Sequence, residues 1–103
     1  MNSMKELDIK YRGDIDYHEL FSVMIDSNTC EDTAIGITND GELLYIENKL
    51  MNNSSAYWVQ SIFHSINKKE FCEFIEQARA KGYIEKAIKN GQTTEEELQK
   101  LSE

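Results

Sequence analysis

Residues 33 to 47 constrain the fold most, because apolar and polar side chains alternate there on both sides of Asn39-Asp40-Gly41. Alternation is the period of a half-buried strand, and an Asp-Gly pair between two such runs supplies the positive φ angles that a tight hairpin turn needs. With Asp40-Gly41 as a two-residue type I′ turn, Ile37 pairs with Leu44 and Ile35 with Ile46 on one face, while Gly36 lies opposite Tyr45 on the other. That register gathers the large apolar residues on a core face and leaves Thr38, Leu43, Tyr45 and Glu47 toward solvent, with Asp40 and Glu42 at the tip. A three-residue loop through Asn39 would set Gly36 across from Leu44 and Ala34 across from Ile46, mixing the faces, so the two-residue turn is expected.

Elements on either side of the hairpin follow from the same periodicities. Lys5 to Arg12 alternates, with Leu7, Ile9 and Tyr11 on one face, and predicts an N-terminal strand ending at Gly13-Asp14. Asp16 to Asp26 fits two readings. As a strand it places Tyr17, Phe21, Val23 and Ile25 together; as a helix it has Asp16 as N-cap, Glu19 in the capping-box position, and Ile15 and Leu20 as a staple. The helix is the expectation adopted. Beyond Asn48 the period reads as 3.6, with Trp58, Val59, Ile62, Phe63 and Ile66 as an apolar stripe behind a cap at Ser54. Asn67 then caps a further helix with Glu70 at N3, burying Phe71, Phe74, Ile75 and Ala78 and wetting Lys69, Glu73, Glu76 and Arg79. Gly82 is placed to end it, Tyr83 to Ile88 continue as a short helix to Gly91, and Thr94 opens a small helix within residues 92–103 whose end frays.

The expected fold is therefore α+β: a small antiparallel sheet, made of the hairpin 33–47 and the N-terminal strand, packed against three to four helices mostly from the C-terminal half. A chain of 103 residues without proline, linker or repeat reads as one acidic domain. The N-terminus lacks the apolar region of a secretory signal, and two separated cysteines are too few for a disulfide framework, so the expected location is the cytoplasm. Cys72 reads as a buried hydrophobe and Cys30 as an exposed loop residue, with a bridge between them left open.

Charge supplies the functional signal. Residues 13 to 48 hold nine carboxylates (Asp14, Asp16, Glu19, Asp26, Glu31, Asp32, Asp40, Glu42 and Glu47) and neither Lys nor Arg, while the rest of the chain mixes ten acids with all eleven bases. The formal charge of -8 is thus regional. Such a field repels nucleic acid and anionic lipid and attracts a basic protein. No stretch has the roughly 18 to 20 apolar residues of a membrane span.

Reaction chemistry finds no comparable support in the sequence. His18, His64, Cys30 and Cys72 lack the close spacing of zinc ligands, so neither a metal nor another cofactor is expected. The stretch from Asp26 to Asp32 begins like a calcium loop, but Glu31 stands where the sixth-position glycine belongs and Ile37 where the twelfth-position Glu belongs. Asp14, Asp16, His18 and Glu19 form the one cluster with acid–base character, and nothing near them supplies a nucleophile or a phosphate-cradling glycine loop. They read as caps and solvated ends, Ser54-Ser55 as a helix cap, Trp58 as core, and Tyr57 as either core or interface. Tyr45 and Leu43, on the outer hairpin face, are the better interface candidates. The protein is expected not to be an enzyme.

A small acidic chain with a short meander turning at Asn39-Asp40-Gly41, followed by helices from Ser54 onward, resembles some anti-CRISPR inhibitors of phages and mobile elements and other DNA-mimic proteins over roughly residues 16 to 90. The resemblance implies a non-catalytic inhibitor that occupies the basic nucleic-acid-binding cleft of a nuclease or other defence effector, with Asp40, Glu42, Glu47, Glu31 and Asp32 standing in for phosphates. Asp14, Asp16, Glu19 and Tyr45 complete the expected contact set. Two other readings remain open: an immunity or antitoxin protein covering a basic toxin enzyme, and a housekeeping interaction domain whose acidity serves only solvation. The sequence does not fix the oligomeric state.

Overall fold

The hairpin forms one residue out of the expected register, and the reason organises the whole sheet. The computed structural model describes residues 5–6, 15–26, 28 and 31–103. Its elements are β1 (Lys5–Glu6), β2 (Tyr17–Asp26), β3 (Glu31–Thr38), β4 (Leu43–Asn52), β5 (Tyr57–Ser65), α1 (Lys68–Ala80), α2 (Tyr83–Lys89) and α3 (Glu95–Ser102). The strands form one antiparallel sheet in the order β1-β5-β4-β3-β2, so the fold is α+β, with three helices among the described residues. Of the expected strand 5–12, Lys5 and Glu6 pair with Ser65 and His64, and the remainder lies outside the described residues.

Ile37 pairs with Leu43, Gly36 with Leu44, Ile35 with Tyr45 and Ala34 with Ile46. This is the mixed-face register, closed by the three-residue loop Asn39-Asp40-Gly41. The Gly41 amide donates to the Thr38 carbonyl and the Thr38 amide to the Glu42 carbonyl, each at 3.0 Å, with Gly41 at φ 88°. A type I turn followed by a left-handed glycine is the usual three-residue hairpin. The two-residue turn was expected on the premise that one sheet face is wet, and that premise fails. Ile35 and Leu43 are buried beneath the helices together with Leu20, Phe21, Phe71 and Ile84, while Leu44, Ile46 and Phe63 form a second buried cluster on the opposite face, with Ile15 against it. Apolar residues are needed on both faces, so mixing them carries no penalty. Leu43 and Tyr45, expected toward solvent, face the helices; Tyr45 stacks on Phe74 with ring centroids 4.8 Å apart.

Residues 17 to 26 are a strand, not the expected helix, and Asp16 caps nothing. Register shifts between Glu19 and Phe21 and between Ser22 and Met24 interrupt the period of two. Leu20, Phe21 and Val23 consequently all join the helix-side core. An extra residue at a bulge brings neighbours to one face, and the resulting apolar spacing imitates a helix. The stretch from Ser54 is likewise not a helix: Asn53 to Ala56 form a turn and Tyr57–Ser65 is β5, paired with β4 from Leu44↔Ser65 to Asn52↔Tyr57. Its two faces serve different surroundings, Phe63 packing in the second cluster opposite Ile46 while Ile62 pairs with Glu47.

The C-terminal third follows the local signals. Asn67 accepts from the Glu70 amide, and Glu70 accepts from the Asn67 amide, each at 2.8 Å, a reciprocal capping box at the start of α1. Ile66 and Phe71 on either side of that cap are both buried in the main core, where Phe71 lies 6.1 Å from Phe21. Gly82, at φ 82°, ends α1 and turns directly into α2. Thr94 caps α3 by accepting from the Glu97 amide. Cys72 is half-buried with a free thiol; Cys30 lies outside the described residues.

Candidate protein-interaction surface

The meander distributes the acidic window instead of gathering it. Tyr17 pairs with Thr38, so Asp16, at the start of β2, lies at the same end of the sheet as Asp40 and Glu42 in the hairpin loop. All three are exposed. Glu42 accepts from the Ser65 hydroxyl at 3.0 Å, and its amide donates to the Thr38 hydroxyl. At the opposite end, Asp26 pairs with Glu31 and Ile25 with Asp32, bringing three more carboxylates together. Each has local work. Asp26 accepts from the Asn28 amide, Glu31 from the Leu50 amide, and Asp32 from the Asn48 side chain at 2.6 Å. Asn48 in turn accepts from the Ser61 hydroxyl, a polar ladder running across β3, β4 and β5. The two acidic ends are roughly 20 Å apart at about 3.3 Å per strand residue.

The remaining expected contacts divide further. Asp14 lies outside the described residues. His18 and Glu19 hold the loop after α2: the imidazole Nε2 lies 2.6 Å from the Gln92 carbonyl, and Glu19 accepts from the Gln92 side chain at 3.0 Å. Glu47 is half-buried on the helix side, 2.6 Å from His64 Nε2 and 3.2 Å from the Lys49 ammonium, so it is a paired structural group rather than a free carboxylate. Tyr45 beside it is half-buried. Burial raises the Tyr45 phenol above its ordinary value, with Glu47 adding to the rise, while the Thr33 hydroxyl and Lys49 act in the opposite direction. Tyr17 is also raised, first by burial and then by Glu19 and Asp32. Among the described residues, no Lys or Arg side chain lies within ion-pair distance of Asp16, Asp26, Glu31, Asp32, Asp40 or Glu42.

A second feature lies beyond the acidic end at Asp32. The β3–β4 ladder stops at Asp32↔Asn48, but β4 and β5 continue together for four more pairs: Lys49↔Gln60, Leu50↔Val59, Met51↔Trp58 and Asn52↔Tyr57. They close in a turn where the Asn53 side chain accepts from the Ser55 and Ala56 amides. Alternation puts Leu50, Val59 and Tyr57 on one side of this β4–β5 arm and Met51 with Trp58 on the other. Tyr57 is 78% exposed, Val59 55%, Trp58 42% and Leu50 36%. Trp58 is therefore a surface residue, not the core residue expected from a helical stripe. Sequence reasoning missed the arm because its apolar pairs, read without their partner strand, have helical spacing. One signal was available: residues 49 to 60 contain a single charge, Lys49, in a chain that is 29% charged, and such a segment is either buried or an interface.

Comparison of the chain with protein-family models, curated proteins and solved structures returns no match. No helix among the described residues is long and apolar enough to cross a membrane.

Proposed function

We propose that the chain is a non-catalytic protein-binding inhibitor that uses its acidic sheet end to engage a basic, nucleic-acid-binding protein such as a nuclease or defence effector, in the manner of a DNA mimic. The observation that carries this reading is the exposure of Asp16, Asp40 and Glu42 at one end of the sheet with no Lys or Arg within ion-pair distance among the described residues. Uncompensated carboxylates on turns raise the local concentration of a cationic partner and speed its docking. Asp26, Glu31 and Asp32 form a second, more tightly hydrogen-bonded group, so a partner spanning both must reach about 20 Å along the sheet. The contact set is accordingly narrower than the sequence suggested, with Glu47, Glu19 and Tyr45 supporting the fold.

The test is a pull-down with the tagged protein from nuclease-treated lysate, eluted in salt steps and repeated with excess duplex DNA. The expected result is a basic protein that leaves as ionic strength rises, because exposed charges are screened within about 10 Å at 0.1 M salt, and that DNA displaces. A basic partner indifferent to DNA would replace mimicry by the immunity or antitoxin reading. Recovery of no basic protein would contradict both.

A further inference from the structure

We infer that Asn90-Gly91 is a self-modification site, where the chain converts its own asparagine to aspartate or isoaspartate, and that the C-terminal cap of α2 keeps the site closed until that cap opens. Asn90 is the one asparagine in the chain followed by glycine. A residue without Cβ lets its backbone nitrogen approach the preceding carboxamide closely. The Gly91 nitrogen, having given up its proton, bonds to Asn90 Cγ; the bond from Cγ to the side-chain nitrogen breaks, and ammonia leaves. The succinimide so formed is opened by water at either carbonyl. One opening gives aspartate, the other isoaspartate, whose main chain runs through Cβ and is one atom longer. Water is the only co-reactant.

The fold withholds both the nucleophile and the geometry. Gly91, at φ 78°, is the left-handed residue of a Schellman cap: its amide donates to the Ile88 carbonyl at 3.0 Å, and the Gln92 amide donates to the Ala87 carbonyl at 2.9 Å. The attacking nitrogen thus keeps its proton in a hydrogen bond. Asn90 has ψ 0°, which eclipses the Gly91 nitrogen with the nitrogen of Asn90, whereas ring closure needs it eclipsed with Cβ, a third of a turn away. Reaching that conformation breaks the cap. The cap is held from outside the helix as well, because His18 Nε2 lies 2.6 Å from the Gln92 carbonyl and the Gln92 side chain donates to Glu19 at 3.0 Å. Asn90 and Gly91 are themselves exposed, and an exposed helix end opens at lower free energy than the core. The product does not close again as before. A carboxylate at position 90 meets the negative end of α2, and the longer isoaspartyl chain displaces the two amides that make the cap. Each opening that reacts is therefore recorded, and it loosens the clamp of Gln92 on β2.

The test incubates the full chain at mildly alkaline pH, folded and in urea, alongside folded and urea-unfolded His18→Ala. Peptide mass spectrometry follows the replacement of the Asn90 carboxamide by a carboxyl group, and chromatography separates the isoaspartyl peptide. In urea the parent should react at Asn90 ahead of every other asparagine. Folded, it should react slower by about tenfold or more, since only the opened fraction is reactive. His18 is exposed, so its replacement leaves the core intact, and the folded variant should react several-fold faster than the folded parent while matching it in urea. Equal rates for folded and unfolded parent would overturn the gating by the cap. Absence of reaction at Asn90 in urea would overturn the site, and a variant no faster than the parent would overturn the part played by the clamp. No basic partner enters the measurement, so its result is independent of the function proposed above.

Discussion

At the scale of single residues, the sheet depends on where side chains are small. Gly36 faces the second core opposite Leu44, and a Cβ there would lie 2.9 Å from Tyr17 Cδ2, 3.0 Å from the His18 carbonyl and 3.1 Å from Ile46 Cδ1. One of these neighbours is backbone and cannot swing away. Gly36→Ala should therefore cost about 1–3 kcal/mol, the usual penalty for overfilling a packed core, and urea unfolding would measure it. An unchanged midpoint would mean that the Tyr17 ring, which packs edge-on to Phe63 at 5.5 Å, moves aside freely. Gly36, opposite Tyr45 in the expected register, thus has a packing reason in the observed one. Its signal was invisible in the sequence because the neighbour that demands glycine comes from β2, 19 residues earlier.

At the scale of elements, legibility followed the range of the interactions. The starts of α1 and α3, the Gly82 junction and the buried face of α1 were all readable, because caps and staples involve residues three to five apart. Asn67→Ala removes one half of the capping box and should destabilise the protein by about 1 kcal/mol, read as a lowered thermal midpoint; no change would show that Glu70 alone suffices. The strands were harder. β2 reads as a helix because its bulges put Leu20, Phe21 and Val23 on one side, and β5 reads as one because its two faces bury or expose apolar groups for unrelated reasons. Neither cause is local.

The contact between α1 and α3 has its own pH dependence. Arg79 donates twice to Glu95, at 2.8 and 3.1 Å, and these hydrogen bonds, followed by the guanidinium charge, hold the Glu95 carboxyl below its ordinary value. A depressed carboxyl contributes stability above its unfolded titration and loses it as pH falls through the folded one. The protection of α3 amides, taken relative to the intrinsic exchange rate at each pH, should fall as pH drops through that range, and Arg79→Gln should remove this loss of protection. Identical profiles for the two proteins would assign the anchoring of α3 to Leu98 and its core contacts alone.

At the scale of the whole molecule, the chain separates three kinds of surface: helices over one sheet face, carboxylates at the two sheet ends, and a nearly uncharged arm beyond one of them. The acidic window was legible as composition, since nine acids without a base need no structure to be counted. Its arrangement was not, because pairing sends neighbours in sequence to opposite ends and takes Glu19 and Glu47 into hydrogen bonds within the fold. The most direct measurement is the affinity of the salt-eluted basic partner for the parent and for Asp16→Lys/Asp40→Lys/Glu42→Lys, at low and moderate salt. These exposed positions should change folding by only about 0.5 kcal/mol each. The account predicts that the parent binds with strong salt dependence and that the triple variant, equally folded, loses both the affinity and that dependence. Equal binding by the two proteins would contradict it.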